Sequence, residues 1–308
     1  MYRLPSTDGI FSSNIASVAA ILSTAFGNMA GQILGDRYQV DKQLGKKSGR
    51  WTLLAEDLDT QQPVILKLIS MDDSLHPDML KLFEREVETL KSLDYPDVPR
   101  FLDYFEIDLP KDQKALVLVQ TYIDGVSIDK YLKQGRTFTE SETRKITKSI
   151  LRTLIYLHGH NPIVIHRDIK PSNVLLANRS VSNEEQGTQI CLVDFGSVQS
   201  LVPKPARTTI LTLVGNEDYM APEQLGGRAL KASDLYSMGM TALSLLTGLE
   251  PIDFPRSGAG FNFAALSDIT PGFSQWLEKI TSIDLNDRFN SAEDALEQLR
   301  AIPKASSL

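Results

Sequence analysis

The spacing of apolar and polar residues changes twice along the chain. Residues 9–35 carry no charge, and the moderately apolar run 15–22 is diluted on both sides by Ser, Thr, Asn and Gln. From residue 38, short apolar or alternating runs follow one another at 38–44, 51–56, 64–69, 101–105 and 115–121. Turn residues such as Asp59-Thr60-Gln61-Gln62-Pro63 separate them. These runs read as strands. Among them, residues 78–93 hold Phe83, Val87 and Leu90 at helical spacing and read as one helix. After Gly125 the period becomes helical. Ile146, Ile150, Leu151, Leu154 and Leu157 mark a helix ending near Gly159. Residues 235–246 form a strongly apolar helix, opened by Ser233-Asp234 and closed by Gly248. Residues 291–299 are amphipathic and begin Ser291-Ala292-Glu293-Asp294 in capping-box fashion. The pattern predicts a strand-rich first part and a helix-rich second part, with no internal repeat and no low-complexity tract.

The leader, residues 1–33, uncharged from residue 9 onward, has three readings. Its dilution by polar residues favours a mobile or loosely helical segment outside the fold. Gly27, Gly31 and Gly35 recur every four residues, the small-residue spacing of close-packed membrane helices, so membrane contact through residues 10–34 is a second reading. A cleaved signal is the third, with Arg3 as the only positive charge ahead of the apolar part. A cytoplasmic location is expected, with membrane association as the alternative.

Composition narrows the function. Among 308 residues there are 32 Lys and Arg against 39 Asp and Glu, a net charge of −7, so nucleic acid is not the expected partner. The single cysteine, Cys191, excludes an internal disulfide framework and a multi-thiolate zinc site. It lies in the apolar run Ile190-Cys191-Leu192-Val193, which suits a buried strand thiol better than a reactive one. His76, His158, His160 and His166 show no metal-ligand spacing.

Three motifs carry the chemistry. His166-Arg167-Asp168-Ile169-Lys170-Pro171-Ser172-Asn173 is followed by Leu192-Val193-Asp194-Phe195-Gly196, and then by Ala221-Pro222-Glu223. In this order and spacing they resemble the signature set of protein kinases. The chain is similar to bacterial eukaryotic-like Ser/Thr protein kinases over residues 34–302. That resemblance implies an α+β bilobal fold, with a strand-rich N-lobe (34–121) and a helical C-lobe (122–302), followed by a tail at 303–308. It also implies an enzyme of signalling that transfers the γ-phosphoryl group of ATP, with Mg²⁺ or Mn²⁺, to Ser or Thr hydroxyls of a protein substrate. The substrate's identity and the oligomeric state are open.

The roles follow motif by motif. Phosphoryl transfer rests on positioning and charge neutralisation. Asp194 and the side-chain oxygen of Asn173 are the expected metal ligands, since hard cations take oxygen. Asp168 is placed to orient the substrate hydroxyl, and Lys170 to balance charge on the transferring group; Asp168, Lys170 and Asn173 form the expected catalytic set. Lys67, in Val64-Ile65-Leu66-Lys67, is the expected phosphate contact. Glu86 lies three residues after Phe83 and four before Leu90, so it shares their inward face and needs a partner there. Lys67 is that partner. Nucleotide contacts are also implied at Gly45, Gly49, Gln120 and Tyr122. Asp234 resembles the aspartate that braces the catalytic loop, and Arg288 the arginine that pairs with Glu223.

The sequence also departs from the family pattern. In Gly45-Lys46-Lys47-Ser48-Gly49-Arg50, Lys47 and Arg50 stand where the second and third glycines of the nucleotide loop belong. Lys46, Lys47 and Arg50 offer charge to phosphates in place of close backbone approach. Ile65 replaces a small alanine, Thr121 the hinge glutamate, Ser127 a ribose-contacting acid, and Asn216 a threonine. These changes motivate the alternative of a kinase-shaped pseudoenzyme, a nucleotide-binding or scaffold module. Thr208, Thr209 and Thr212 are expected phosphorylation sites, gripped by Arg167.

Overall fold

In the computed structural model, which describes residues 29–47, 50–71, 76–109, 113–178, 188–201, 217–257, 260–263, 266 and 269–303, the alternating runs of the first part form one sheet. Its strands are β1 (Ile33–Leu34), β2 (Tyr38–Lys47), β3 (Arg50–Asp57), β4 (Gln62–Ser70), β5 (Phe101–Leu109) and β6 (Gln113–Thr121). They pair antiparallel in the order β1-β2-β3-β4-β6-β5. Each expected run is a strand, extended at its ends where ladder bonds continue through polar residues. Side chains alternate across a sheet, and the two faces of β4 differ accordingly. Val64, Leu66 and Leu68 enter a core with Leu34, Tyr38, Val40, Leu53, Ala55, Val117 and Val119. Ile65, Lys67 and Ile69 point the other way, toward helix α1 (Pro77–Ser92).

Helix α1 starts where His76 accepts the Asp78 N–H at 3.3 Å and Pro77 takes the first helical position. Leu82, Phe83, Glu86, Val87 and Leu90 form its buried face. The fold begins earlier than Leu34, the expected boundary. Met29 is 4% exposed within the sheet core, and Gly31 N–H donates to the Val40 carbonyl at 2.7 Å. The correction has a simple cause: one apolar side chain and a few backbone bonds leave little trace in a polar leader. Of the leader, residues 1–33, only 29–33 are described; the readings of residues 1–28 lie outside the described residues.

The chain divides into two units. One holds the described residues up to Leu93 together with Arg100–Tyr122; the other holds Asp94–Pro99 and everything described from Ile123 onward. Assigning 94–99 to the first lobe is therefore corrected. Asp94 N–H donates to the Tyr156 hydroxyl at 2.8 Å, and Tyr95 stacks on Tyr156 at 4.6 Å between centroids. Leu192 N–H donates to the Asp97 carbonyl at 2.9 Å.

In the second unit, β7 (Gly125–Ser127) leads into α2 (Ile128–Lys133) and α3 (Glu140–Gly159). Thr139 and Glu142 cap α3 reciprocally. Strands β8 (Ile163–Ile165), β9 (Val174–Asn178), β10 (Thr188–Leu192) and β11 (Gln199–Leu201) form two small sheets, ordered β10-β9-β7 and β11-β8. After the one-turn helix α4 (Pro222–Leu225) comes α5 (Lys231–Thr247), buried continuously from Ser233 to Leu245, as a helix at the centre of its unit must be. Ser233 and Asp234 do not open this helix as expected. It starts at Lys231, and the Ser233 hydroxyl turns back to accept the Leu230 N–H at 3.0 Å. That leaves the Asp234 carboxylate free to serve another segment. Gly248, at φ 71°, ends the helix as expected.

Two more helices follow, α6 (Pro271–Ile280) and α7 (Ala292–Ala301). A Cβ on Gly239 of α5 would lie 2.6 Å from the Ile280 side chain, so glycine permits this close approach. At α7 the Ser291 hydroxyl caps the Asp294 N–H at 3.2 Å. Among the described residues, no helix is long and apolar enough to cross a membrane.

Candidate active site

In the first unit, chemistry converges on Glu86. The helix turns this carboxylate, 1% exposed, onto the sheet, where Lys67 Nζ on β4 bonds its Oε1. The expected Lys67–Glu86 pair is present. Arg50, the first residue of β3, also reaches inward: its guanidinium lies over the Phe83 ring at 5.8 Å, with Nη2 3.9 Å from Glu86 Oε2. Sequence reasoning treated Arg50 only as a loop cation, and this inward path is a finding of the structure. Gly45 pairs across from Thr52 on β3, and among the described residues nothing lies within 4 Å of where its Cβ would sit. No contact with the described residues therefore demands glycine there. Gly49 and Asn216 fall outside the described residues, as do Thr208, Thr209 and Thr212. Gln120, buried on β6, sits opposite Ile65, and half-buried Tyr122 follows the strand. Thr121 accepts the Arg100 N–H through its hydroxyl at 3.0 Å, whereas Ser127 caps α2 by accepting the Lys130 N–H at 3.3 Å.

In the second unit, the segment after β8 is held from beneath by Asp234. This fully buried carboxylate accepts the backbone N–H groups of His166 (2.9 Å) and Arg167 (2.8 Å), and contacts His158 Nε2 at 2.9 Å. Gln224 donates to the Arg167 carbonyl at 2.8 Å. Arg167 is thereby fixed at φ 70°, a left-handed conformation that a side chain other than glycine adopts only under such constraint. Burial pushes the His166 imidazole below its ordinary pKa, although nearby Asp234, Asp168 and Asp194 pull it upward. His158 and Gln224 were not anticipated by the sequence reading.

On this base, three expected residues meet. Lys170 Nζ lies 2.9 and 2.8 Å from the two Asp168 carboxylate oxygens. Asn173 Nδ2 donates to the Asp168 carbonyl at 2.8 Å and to Oδ2 at 3.0 Å. The Val193 N–H donates to the Asn173 carbonyl at 2.9 Å, which places Asp194 beside Asn173. Asp194 is exposed, at φ 65°, and accepts the Gly196 N–H at 3.3 Å.

The donor set suits a hard divalent cation. Because the Asn173 amide nitrogen is committed to Asp168, its oxygen is left with one long contact, Ser172 Oγ at 3.4 Å. With the Asp194 carboxylate, that makes two oxygens that could serve a metal as ligands. No cluster of three or more His, Cys, Asp or Glu side chains suited to a metal exists among the described residues. Such a sparse set fits an ion that keeps waters and substrate phosphates as its remaining ligands.

Cys191 is 1% exposed, and burial raises its thiol to a pKa of about 12, which excludes a thiolate nucleophile. Arg288 forks onto Glu223 at 2.8 and 3.3 Å, as expected. Burial alone would raise the Glu223 carboxyl, but hydrogen bonds from Arg288 and Ser233 outweigh it and the net shift is downward.

A family model described as "Protein kinase domain" matches residues 38–298. The chain belongs to the protein kinase family. Its two units are the strand-rich and helical lobes of the bilobal kinase fold, and membership implies use of ATP with a divalent metal ion. The kinase domain is 32% identical over 283 residues to serine/threonine-protein kinase B of Synechocystis, covering 86% of this chain and 46% of that protein. It is 31% identical over 285 residues to serine/threonine-protein kinase PknA of Nostoc, covering 87% and 48%. Over 281 residues it is 27% identical to serine/threonine-protein kinase PrkC of Bacillus subtilis, covering 86% and 40%. The chain thus spans about half the length of these relatives or less.

Proposed function

We propose that this kinase domain is an ATP-dependent Ser/Thr protein kinase that uses Asp168 to orient the acceptor hydroxyl. The observation that carries this reading is the buried Asp168 carboxylate, held by Lys170 and Asn173 on a loop that Asp234 braces. Two donors fix the carboxylate's direction, so one oxygen can accept the hydrogen bond of an incoming serine or threonine hydroxyl. As the hydroxyl oxygen attacks the γ-phosphorus, the bond from that phosphorus to the β–γ bridging oxygen breaks and ADP leaves; the hydroxyl proton passes to Asp168, while Lys170 balances charge on the transferring phosphoryl group. The domain's relatives are named Ser/Thr kinases, and Lys170-Pro171 resembles the Ser/Thr branch.

Lys67, fixed by Glu86, binds the nucleotide phosphates. The open position above Gly45 admits them close to the backbone, and Gln120 and Tyr122 face the base. Asp194 and the Asn173 side-chain oxygen would hold the divalent ion, Mg²⁺ or Mn²⁺ by the hardness of its ligands, and that ion would supply neutralisation of phosphate charge. Dependence on ATP supports a cytoplasmic site of action. No observation favours the alternative of a kinase-shaped scaffold.

The test is transfer from γ-labelled ATP to a generic acceptor protein, followed by identification of the labelled amino acids. Label on serine or threonine, dependent on Mg²⁺ or Mn²⁺, supports the reading. No transfer with either metal, or label confined to tyrosine, overturns it.

A further inference from the structure

Arg50 stands at a position where the family pattern has glycine, and its side chain does not stay in the loop. Strand register explains why it can reach the site. Thr52 pairs directly with Lys67, so their side chains share one face of the sheet. Arg50, two residues earlier on β3, shares that face and lies diagonal to Lys67. It crosses Phe83 and approaches the carboxylate that Lys67 already occupies.

The result is one buried anion between two cations. Glu86 offers Oε1 to Lys67, and its Oε2 lies 3.9 Å from Arg50 Nη2. Arg50 gains little from the arrangement. At 3.9 Å its Nη2 is too far from Oε2 for a hydrogen bond. Nη2 is also shielded from solvent and has no hydrogen-bond partner among the described residues. A structural arginine normally closes a two-pronged bond onto its carboxylate. Here Lys67 holds Oε1, so the fork cannot close. A buried N–H without an acceptor costs stability, and a guanidinium with an unmet donor beside the expected phosphate lysine attracts an anion carrying several oxygens.

We propose that Arg50 is a second phosphate-binding cation, which with Lys67 forms a two-cation clamp hung on Glu86 for the polyphosphate of a nucleotide. The clamp takes over the role that glycine-loop backbone plays elsewhere: a guanidinium N–H replaces a close backbone N–H. This inference rests on the nucleotide-site reading above. It requires that Arg50 contribute to binding of nucleotides that carry a pyrophosphate group and nothing to binding of the nucleoside alone. An arginine that only packs on Phe83 and screens Glu86 would affect both ligands alike.

The experiment is equilibrium binding of ATP, ADP and adenosine, by displacement of a fluorescent nucleotide, to wild type, Arg50→Gln, Arg50→Lys and Lys67→Ala. It is run with Mg²⁺ and again with EDTA, and thermal denaturation of each variant verifies folding. Arg50→Gln keeps most of the side-chain length without the charge. Its ATP and ADP affinity is expected to fall tenfold or more, with adenosine unchanged within about twofold; tenfold corresponds to about 1.4 kcal/mol. Arg50→Lys, with charge but no fork, is expected between the two. Wild-type ATP affinity in a folded Arg50→Gln, or equal weakening of ATP and adenosine, overturns the clamp. Should Lys67→Ala bind ATP as tightly as wild type, or wild type bind no ATP, the nucleotide-site reading itself fails and the clamp with it.

Discussion

Replacing Asp234 by Asn removes one charge and almost no volume, so the response reports on the hydrogen bonds and the charge that strengthens them, not on packing. The carboxylate serves three donors: His158 and the His166 N–H through Oδ2, and the Arg167 N–H through Oδ1. An amide offers one oxygen. Turned to the Oδ2 position, it keeps two partners as neutral bonds, while its NH₂ opposes the Arg167 N–H. Hydrogen bonds to a charged group contribute ~1.5–3 kcal/mol and neutral ones ~0.5–1.5, so each retained bond weakens by ~1 kcal/mol. The orphaned Arg167 N–H adds ~1–3 kcal/mol. The expected loss is ~3–5 kcal/mol, a large part of the ~5–15 kcal/mol that holds a typical domain folded. Denaturant titration measures the loss, and amide hydrogen exchange at His166 and Arg167 locates it. Phosphoryl transfer should fall as well, because Arg167 relaxes from φ 70° and takes Asp168 with it. A folded Asp234→Asn protein within about 0.5 kcal/mol of wild type, with both amides still protected, would refute this account of the loop; effects that small are typical of uninvolved surface positions.

Three further outcomes are expected. Lys67→Ala and Asp194→Ala should each lower transfer by well over tenfold, a barrier change above ~1.4 kcal/mol, and a variant that retains a tenth of the rate contradicts the role given to that residue. The neutral, buried His166 binds a proton less readily folded than unfolded, so its contribution to stability is complete above about pH 6.5 and declines as pH falls toward the lowered folded-state value. Denaturant midpoints from pH 7.5 to 5.5 should show that decline, and a profile unchanged in His166→Asn shows that another group causes it. Met29→Ala should cost ~2–5 kcal/mol as a buried large-to-small change, and truncation through residue 32 should be less stable than truncation through residue 28; equal stability of the two truncations contradicts a core role for Met29.

The parts of the site legible in the sequence are those where chemistry dictates both residue type and spacing. Asp168, Lys170 and Asn173 lie on one loop, so their contacts are local and their order along the chain already specifies them. Glu86 was legible because a carboxylate among Phe83, Val87 and Leu90 demands a cation. The strands were legible because alternation follows directly from the pleat. What the pattern left out depends on long-range paths. Asp94–Pro99 joins the helical unit through Tyr156, Gln189 and Leu192, distant in sequence. Arg50 turns inward only because its strand register faces α1. Helix α6 was not anticipated: its signal lies in Phe273, Trp276, Leu277 and Ile280, but it is ten residues long and begins at Pro271-Gly272, a pair that favours turns. Asp234 resembled a brace at the sequence level, while the Ser233-Asp234 pair imitated a helix start. Only the fold separates the capping serine from the bracing aspartate.

The most direct test separates binding from chemistry at Asp168. Nucleotide affinity and the rate of transfer to a protein serine or threonine are measured on the same preparations of wild type and Asp168→Asn. Wild type is expected to do both. The variant is expected to bind ATP within about threefold of wild type and to lose ~10²-fold or more in transfer rate, the scale of a positioned acid–base group. Equal transfer rates in the two proteins would contradict the central claim that Asp168, held by Lys170 and Asn173, directs the acceptor hydroxyl.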